Sequence, residues 1–134
     1  MTLEQSADNP LRVLAISGSL RKSSFNIGLI RAAQEVAPDW MDVEIFDIRG
    51  LPFYDGDLEA QSDPEPVRTL KSAIRESDAV MFATPEYNWG TSGVMKNTID
   101  WLHGTGKKAR LWENRGQSSA PAAGRAPPGP RCSC

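Results

Sequence analysis

Two short loops carry the residue types that could do chemistry. The first is Gly18-Ser19-Leu20-Arg21-Lys22-Ser23-Ser24-Phe25-Asn26, which follows an apolar run and enters a segment of helical spacing. A helix N-terminus offers unpaired backbone N–H groups and the positive end of a dipole, both suited to a phosphate. Gly18 permits a sharp turn, Ser19, Ser24 and Asn26 add side-chain donors, and Arg21 can supply a charge-assisted bond. A terminal phosphomonoester fits that set. A Ser-rich loop also caps helices with no ligand present, and for Ser24 alone capping is as good a reading as ligand contact. The second loop is Thr84-Pro85-Glu86-Tyr87-Asn88-Trp89-Gly90-Thr91-Ser92-Gly93. Backbone amides beside two aromatic residues suit a flat heteroaromatic ring, whose carbonyls and nitrogens the amides can bond while Tyr87 or Trp89 covers its edge or face.

Other nucleotide chemistries lack their residues. No G-x-G-x-x-G is present to cradle a dinucleotide pyrophosphate, and no G-x-x-x-x-G-K-[ST] to support NTP hydrolysis. The sole histidine, His103, follows the third helix and reads as a helix-end residue rather than a catalyst. Lys96 and Asp100 are spaced as a surface i,i+4 pair, and Trp101 as core or subunit interface.

The elements that must position these loops alternate strand and helix. Leu11 to Ser17 is a β-rich apolar run, and Phe25 to Ala37 places Ile27, Ile30, Ala33 and Ala37 at near-helical spacing with Ser24 as N-cap. Val43, Ile45 and Ile48 mark a second, more alternating strand of edge type. A long loop, Gly50 to Asp63, precedes a helix opened by Pro64 and Pro66 with Val67, Leu70, Ala73 and Ile74 on one face. Ala79 to Thr84 is apolar on both faces, as in a strand buried between helical layers, and a third helix runs from about Ser92 to Leu102. Right-handed βαβ crossovers then give a doubly wound α/β sheet whose ligands gather at the strands' carboxyl ends.

Bulk properties narrow the partners. Residues 1–105 hold 9 Lys/Arg against 16 Asp/Glu, whereas residues 106–134 hold 6 against one. An acidic body gives no reason to expect nucleic acid or an anionic membrane surface as partner. No run approaches the ~20 apolar residues of a membrane span, and Met1 to Pro10 lacks the pattern of a signal peptide, so a cytoplasmic protein is expected. Cys132 and Cys134 are a poor metal site, and none is expected.

The ordered motifs G-S-L-R-K-S-S-F-N at 18–26, T-P-E-Y-N at 84–88 and G-V-M-K-N-T-I-D-W at 93–101 resemble the NADPH-dependent FMN reductases, a family that includes chromate, quinone and azo-dye reductases. D-I-R-G-L-P-F-Y-D at 47–55 is similar to that family's second-strand loop, and the resemblance covers about residues 10–103. It implies a flavodoxin-like, three-layer α/β/α fold holding non-covalent FMN. Ser19, Leu20, Arg21, Lys22, Ser23, Ser24, Phe25 and Asn26 would wrap the phosphate, and Pro85, Glu86, Tyr87 and Asn88 would line the isoalloxazine ring. It further implies a homodimer or homotetramer that takes electrons from NADPH or NADH and passes them to a small-molecule acceptor such as a flavin or quinone. The flavin carries that chemistry, so no catalytic side chain is expected. Basic residues able to hold the 2′-phosphate of NADPH are not apparent in the sequence.

The resemblance fails after Gly104. The family continues with a fourth strand, a G-A-S-x-G loop, a helix, a fifth strand and a final helix, none of which is recognisable here. Residues 106–134 are rich in Ala, Gly, Pro and Arg, which reads as a disordered tail and as a GC-rich gene translated out of frame. The expected organisation is an N-terminal extension at 1–9, an incomplete FMN-binding domain at 10–105 lacking the last two strands, and the tail. With those strands missing, Ala79 to Thr84 becomes an exposed edge, and weak FMN binding and little turnover follow. A flavodoxin-type electron carrier, and an inactive fragment of the reductase, are the alternative readings.

Overall fold

A computed structural model describes residues 9–103. The expectations for residues 1–8 and 104–134, including the tail and Cys132 and Cys134, lie outside the described residues.

The first strand, β1 (Leu11–Ser17), is the centre of the sheet. It is followed by α1 (Phe25–Val36), β2 (Met41–Phe46), α2 (Gly56–Gln61), α3 (Glu65–Glu76), β3 (Ala79–Ala83), β4 (Glu86–Tyr87), β5 (Gly90–Thr91) and α4 (Gly93–His103). Strand order is β2-β1-β3, all parallel, with Val13 opposite both Val43 and Ala79. This is the start of the flavodoxin-like order.

Period-two alternation splits β1 between two cores. Val13 and Ala15 face one side, with Ile30 of α1, Val43 and Ala83. Leu14 and Ile16 face the other, with Leu70 and Ile74 of α3 and Met95 and Leu102 of α4. Helices on both faces explain why β1 is an unbroken apolar run. No helix among the described residues is long and apolar enough to cross a membrane.

Three details differ from the sequence-based expectation. β2 ends at Phe46, so Ile48 is past the strand, although it is buried against Leu70 and Ile74. The Gly50–Asp63 stretch is not all loop: Asp55 caps α2, its carboxylate accepting from the Asp57 N–H at 2.8 Å. The second loop contains the two-residue hairpin β4–β5. β3, apolar on both faces, is the exposed edge expected of a sheet without its last two strands: it buries only Ala83, and Phe82 remains 46% exposed. The reason is topological, because β3 pairs with β1 alone among the described residues and has no neighbour on its far side.

Candidate cofactor site

The β1–α1 loop and the β3–α4 loop meet at the carboxyl ends of adjacent parallel strands. Gly18 donates its N–H to the Ala83 carbonyl at 2.8 Å, carrying the β1–β3 pairing to its last rung. Ser92 donates its hydroxyl to the Gly18 carbonyl at 2.6 Å and accepts from the Met95 N–H at 3.3 Å. One side chain therefore caps α4 and ties the two loops together. Thr84 and Thr91 share a hydroxyl–hydroxyl bond of 2.6 Å across the base of the hairpin. A Cβ at position 18 would stand 2.6 Å from Thr84 Oγ1 and 3.0 Å from Ser92 Oγ, so glycine is required by the closeness of the loops.

Between the loops lies an open cleft of about 570 Å³. Gly18, Ser19, Leu20 and Arg21 form one wall, and Tyr87 with Ser92, Gly93 and Val94 the other; Phe53 closes an end. Phe53 is brought there by Asn97 of α4. The Asn97 Oδ1 accepts from the Tyr54 N–H at 2.7 Å, and its Nδ2 donates to the Pro52 carbonyl at 2.9 Å. Trp101 Nε1–H donates to the same carbonyl at 2.8 Å, and its ring meets Tyr54 edge-on at 5.0 Å between centroids. Trp101 is fully buried. Sequence reasoning placed Trp101 in the core or at a subunit interface and missed Asn97, whose only local signal is a half-buried carboxamide one turn before Trp101.

Of the residues expected around the ligand, Ser19, Leu20, Arg21 and Tyr87 line the cleft together. Lys22 faces a second hollow on the other side of the first loop. The Ser24 Oγ accepts from the amides of Asn26 and Ile27 at 3.2 and 3.4 Å, so it is the helix cap, with its hydroxyl proton left to donate. Ser23, Phe25, Asn26, Pro85, Glu86 and Asn88 are not in the cleft wall. Phe25 is 91% exposed at the helix start. Glu86 is occupied within the hairpin, its Oε1 accepting from the Trp89 N–H at 3.1 Å.

That hairpin has an unusual turn. Asn88 (φ 52°) and Trp89 (φ 65°) both occupy the left-handed region, as the two central residues of a type I′ turn must. Glycine usually takes the second place, and a bulky residue there is strained. Trp89, expected as a possible ring cover, is 98% exposed and outside the cleft wall.

A parallel β2-β1-β3 sheet that opens one cleft at its carboxyl end, with a hydroxyl- and arginine-bearing loop on one side and an aromatic loop on the other, defines a flavodoxin-like ligand-binding domain. The chain belongs to the NADPH-dependent FMN reductase family, whose model matches residues 11–120. It is 45% identical over 91 residues to an NAD(P)H-dependent FMN reductase of Pseudomonas aeruginosa, covering 68% of this chain and 49% of that protein. To an NAD(P)H:quinone oxidoreductase of Solanum tuberosum it is 37% identical over 118 residues, covering 85% of this chain and 59% of that one. Among solved structures, the flavoenzyme NAD(P)H:(acceptor) oxidoreductase FerB of Paracoccus denitrificans matches with a TM-score of 0.68 at 40% identity, over 75% of this chain and 54% of that chain. The chain spans about half the length of the curated relatives it matches.

Proposed function

We propose that this chain binds FMN in the cleft between the two loops and is the flavin-holding part of an NAD(P)H-dependent reductase of small acceptors such as flavins or quinones. The observation that carries this reading is the shared cleft: the loop bearing Ser19, Leu20 and Arg21 faces Tyr87 and Val94 across about 570 Å³. That volume falls within the range of small-molecule sites, with one polar wall and one largely apolar wall. In this reading adjacent loops supply both requirements of FMN, a phosphate cradle and an apolar slot.

In this reading the first turn of α1 and its preceding loop hold the phosphate. Arg21 supplies charge, Ser19 and the Ser24 hydroxyl proton supply donors, and Lys22, Ser23, Phe25 and Asn26 contribute through the loop backbone. Pro85, Glu86, Tyr87 and Asn88 present the hairpin beside the ring, where backbone donors orient it and Tyr87 covers its edge. Bound FMN supplies two-electron acceptance from a nicotinamide and delivery to a second acceptor. The protein's part is to position the ring and to shield one side of it from water with Phe53 and Val94. Assembly as a homodimer or homotetramer accords with the exposed aromatic rings of Phe25, Phe53 and Trp89, and the remaining edge of β3 supplies a further surface. The corresponding relatives carry the names NAD(P)H-dependent FMN reductase and NAD(P)H:quinone oxidoreductase, and a cytoplasmic setting belongs to the same proposal.

Titration of FMN into the full chain, followed by quenching of flavin fluorescence, tests the reading. Saturable binding that weakens roughly tenfold or more in Arg21→Ala is expected, from loss of one charge-assisted bond. A folded protein that leaves flavin fluorescence unchanged would refute it. Given binding, NAD(P)H oxidation with a quinone distinguishes a reductase from an electron carrier, which would not accept hydride.

A further inference from the structure

The two edges of the sheet are built differently. β2 carries the exposed acids Asp42 and Glu44, and charged side chains are a device by which edge strands avoid pairing with other chains. β3, Ala79–Ala83, has no charge, no proline and an unbroken register. Its far side has no neighbour among the described residues. A strand apolar on both faces belongs inside a sheet, yet Phe82 is exposed, and Val80 and Met81 are only half-buried. To cover this edge, another parallel strand of the same chain would need a comparable apolar run. Residues 104–134 contain no three consecutive apolar residues, and they include Pro121, Pro127, Pro128 and Pro130. A second copy of β3 supplies the run that they lack.

The backbone fixes how two copies can meet. The Gly18 N–H bonds the Ala83 carbonyl at 2.8 Å, so the peptide groups of Ala83 face β1. The period of two turns Ala79 and Met81 the same way, and turns the N–H and C=O of Val80 and Phe82 towards the open edge. An antiparallel pair with its two-fold axis beside Met81 sets Val80 opposite Phe82 of the second copy, and Phe82 opposite its Val80. Each of those pairs exchanges both of its N–H···O=C bonds. Met81 then meets its own copy in the close, non-bonded position. Asp78, the nearest charge, falls opposite Thr84 and not opposite itself, so no like charges face each other. Sliding either copy by two residues pairs fewer of the strand's own residues.

We propose that two copies of this chain join β3 to β3 in that register, giving one continuous sheet in the order β2-β1-β3-β3-β1-β2. The contact is isologous, so it closes at two copies and leaves only the acid-bearing β2 strands as edges. It also brings a sheet of three strands up to the usual size. The pairing stands whether or not the cleft takes FMN, because it uses the edge of β3 and no residue of the cleft wall.

Sedimentation velocity of the full chain over a concentration series tests the pairing, and a cysteine cross-link reads its register. The parent should sediment as a dimer that dissociates on dilution. Phe82→Pro deletes an N–H that faces the edge and leaves the rungs to β1 in place, so circular dichroism should show a folded protein. Its association should weaken roughly tenfold or more, since the lost bond recurs by symmetry. Phe82→Lys keeps the N–H, adds a charge beside the edge, and should weaken association as well. With Cys132→Ser and Cys134→Ser in the same chain, Met81→Cys should give a disulfide-linked dimer on oxidation. Opposed residues at non-bonded antiparallel positions have Cα atoms ~4.5 Å apart, within reach of a disulfide. A parent that is monomeric at every concentration would overturn the proposal. So would a Met81→Cys protein that stays unlinked under oxidant. Association that is unchanged in folded Phe82→Pro and Phe82→Lys would also overturn it, by assigning the contact to another face.

Discussion

Replacing Ser92 by alanine probes the join on which the cleft depends. Its hydroxyl is 97% shielded together with the rest of the residue (3% exposed), so both of its bonds are made away from solvent. The substitution removes the acceptor that caps α4 at Met95, a loss of about 1 kcal/mol for an N-cap. It also strips the Gly18 carbonyl of its 2.6 Å donor, and an unsatisfied buried acceptor costs about 1–2 kcal/mol more. The two terms give about 2–3 kcal/mol. With a urea m-value of roughly 1–2 kcal/mol/M for a domain of this size, the unfolding midpoint should fall by about 1–3 M. Urea titration of parent and Ser92→Ala, read by tryptophan fluorescence, measures the shift. A flavin titration of the variant in dilute buffer should show weakened FMN binding, because the two walls of the cleft are no longer tied. A midpoint within about 0.3 M of the parent would refute the energetic reasoning, since that shift corresponds to less than the cap alone. Destabilisation with unchanged FMN affinity would refute the claim that this bond sets the width of the cleft.

Asn97→Ala should destabilise by about 2 kcal/mol, because it removes two bonds that hold Pro52 and Tyr54, and it should weaken FMN binding by freeing Phe53. Thermal unfolding at an unchanged midpoint would contradict this. Trp89→Gly is expected to raise stability by about 0.5–1 kcal/mol, as relief of left-handed strain at φ 65° outweighs the added freedom of the unfolded chain. Denaturant unfolding that shows a loss would mean that the indole has a stabilising contact of its own. Because Trp89 lies outside the cleft wall, FMN affinity should be the same in that variant.

Most of the scaffold was legible because its signals are local. β1 runs from Leu11 to Ser17 as the apolar run indicates, and α1 begins at Phe25 behind the Ser24 cap. The parallel sheet, with both loops at its carboxyl ends, follows from the βαβ alternation once three strands and their helices are recognised. Short elements were harder. The cap of α2 at Asp55 is followed by glycine, so Asp-Gly reads as a turn, and the β4–β5 hairpin has Trp89 where glycine would have announced it. Tertiary placement alone decided three other points. Nothing near Asn97 in the chain indicates that its carboxamide will hold residues 52–54, because that contact spans more than 40 positions. Nothing near Gly18 indicates that Thr84 and Ser92 will close on it. Arg31 and Arg49 likewise read as ordinary surface cations on a helix and in a loop, until the parallel pairing of β1 with β2 brings their elements against Arg21 and Lys22. Periodicity and capping are encoded between near neighbours and can be read along the chain. The convergence of charge and the spacing of loops depend on which strands lie side by side, and that is settled only when the sheet forms.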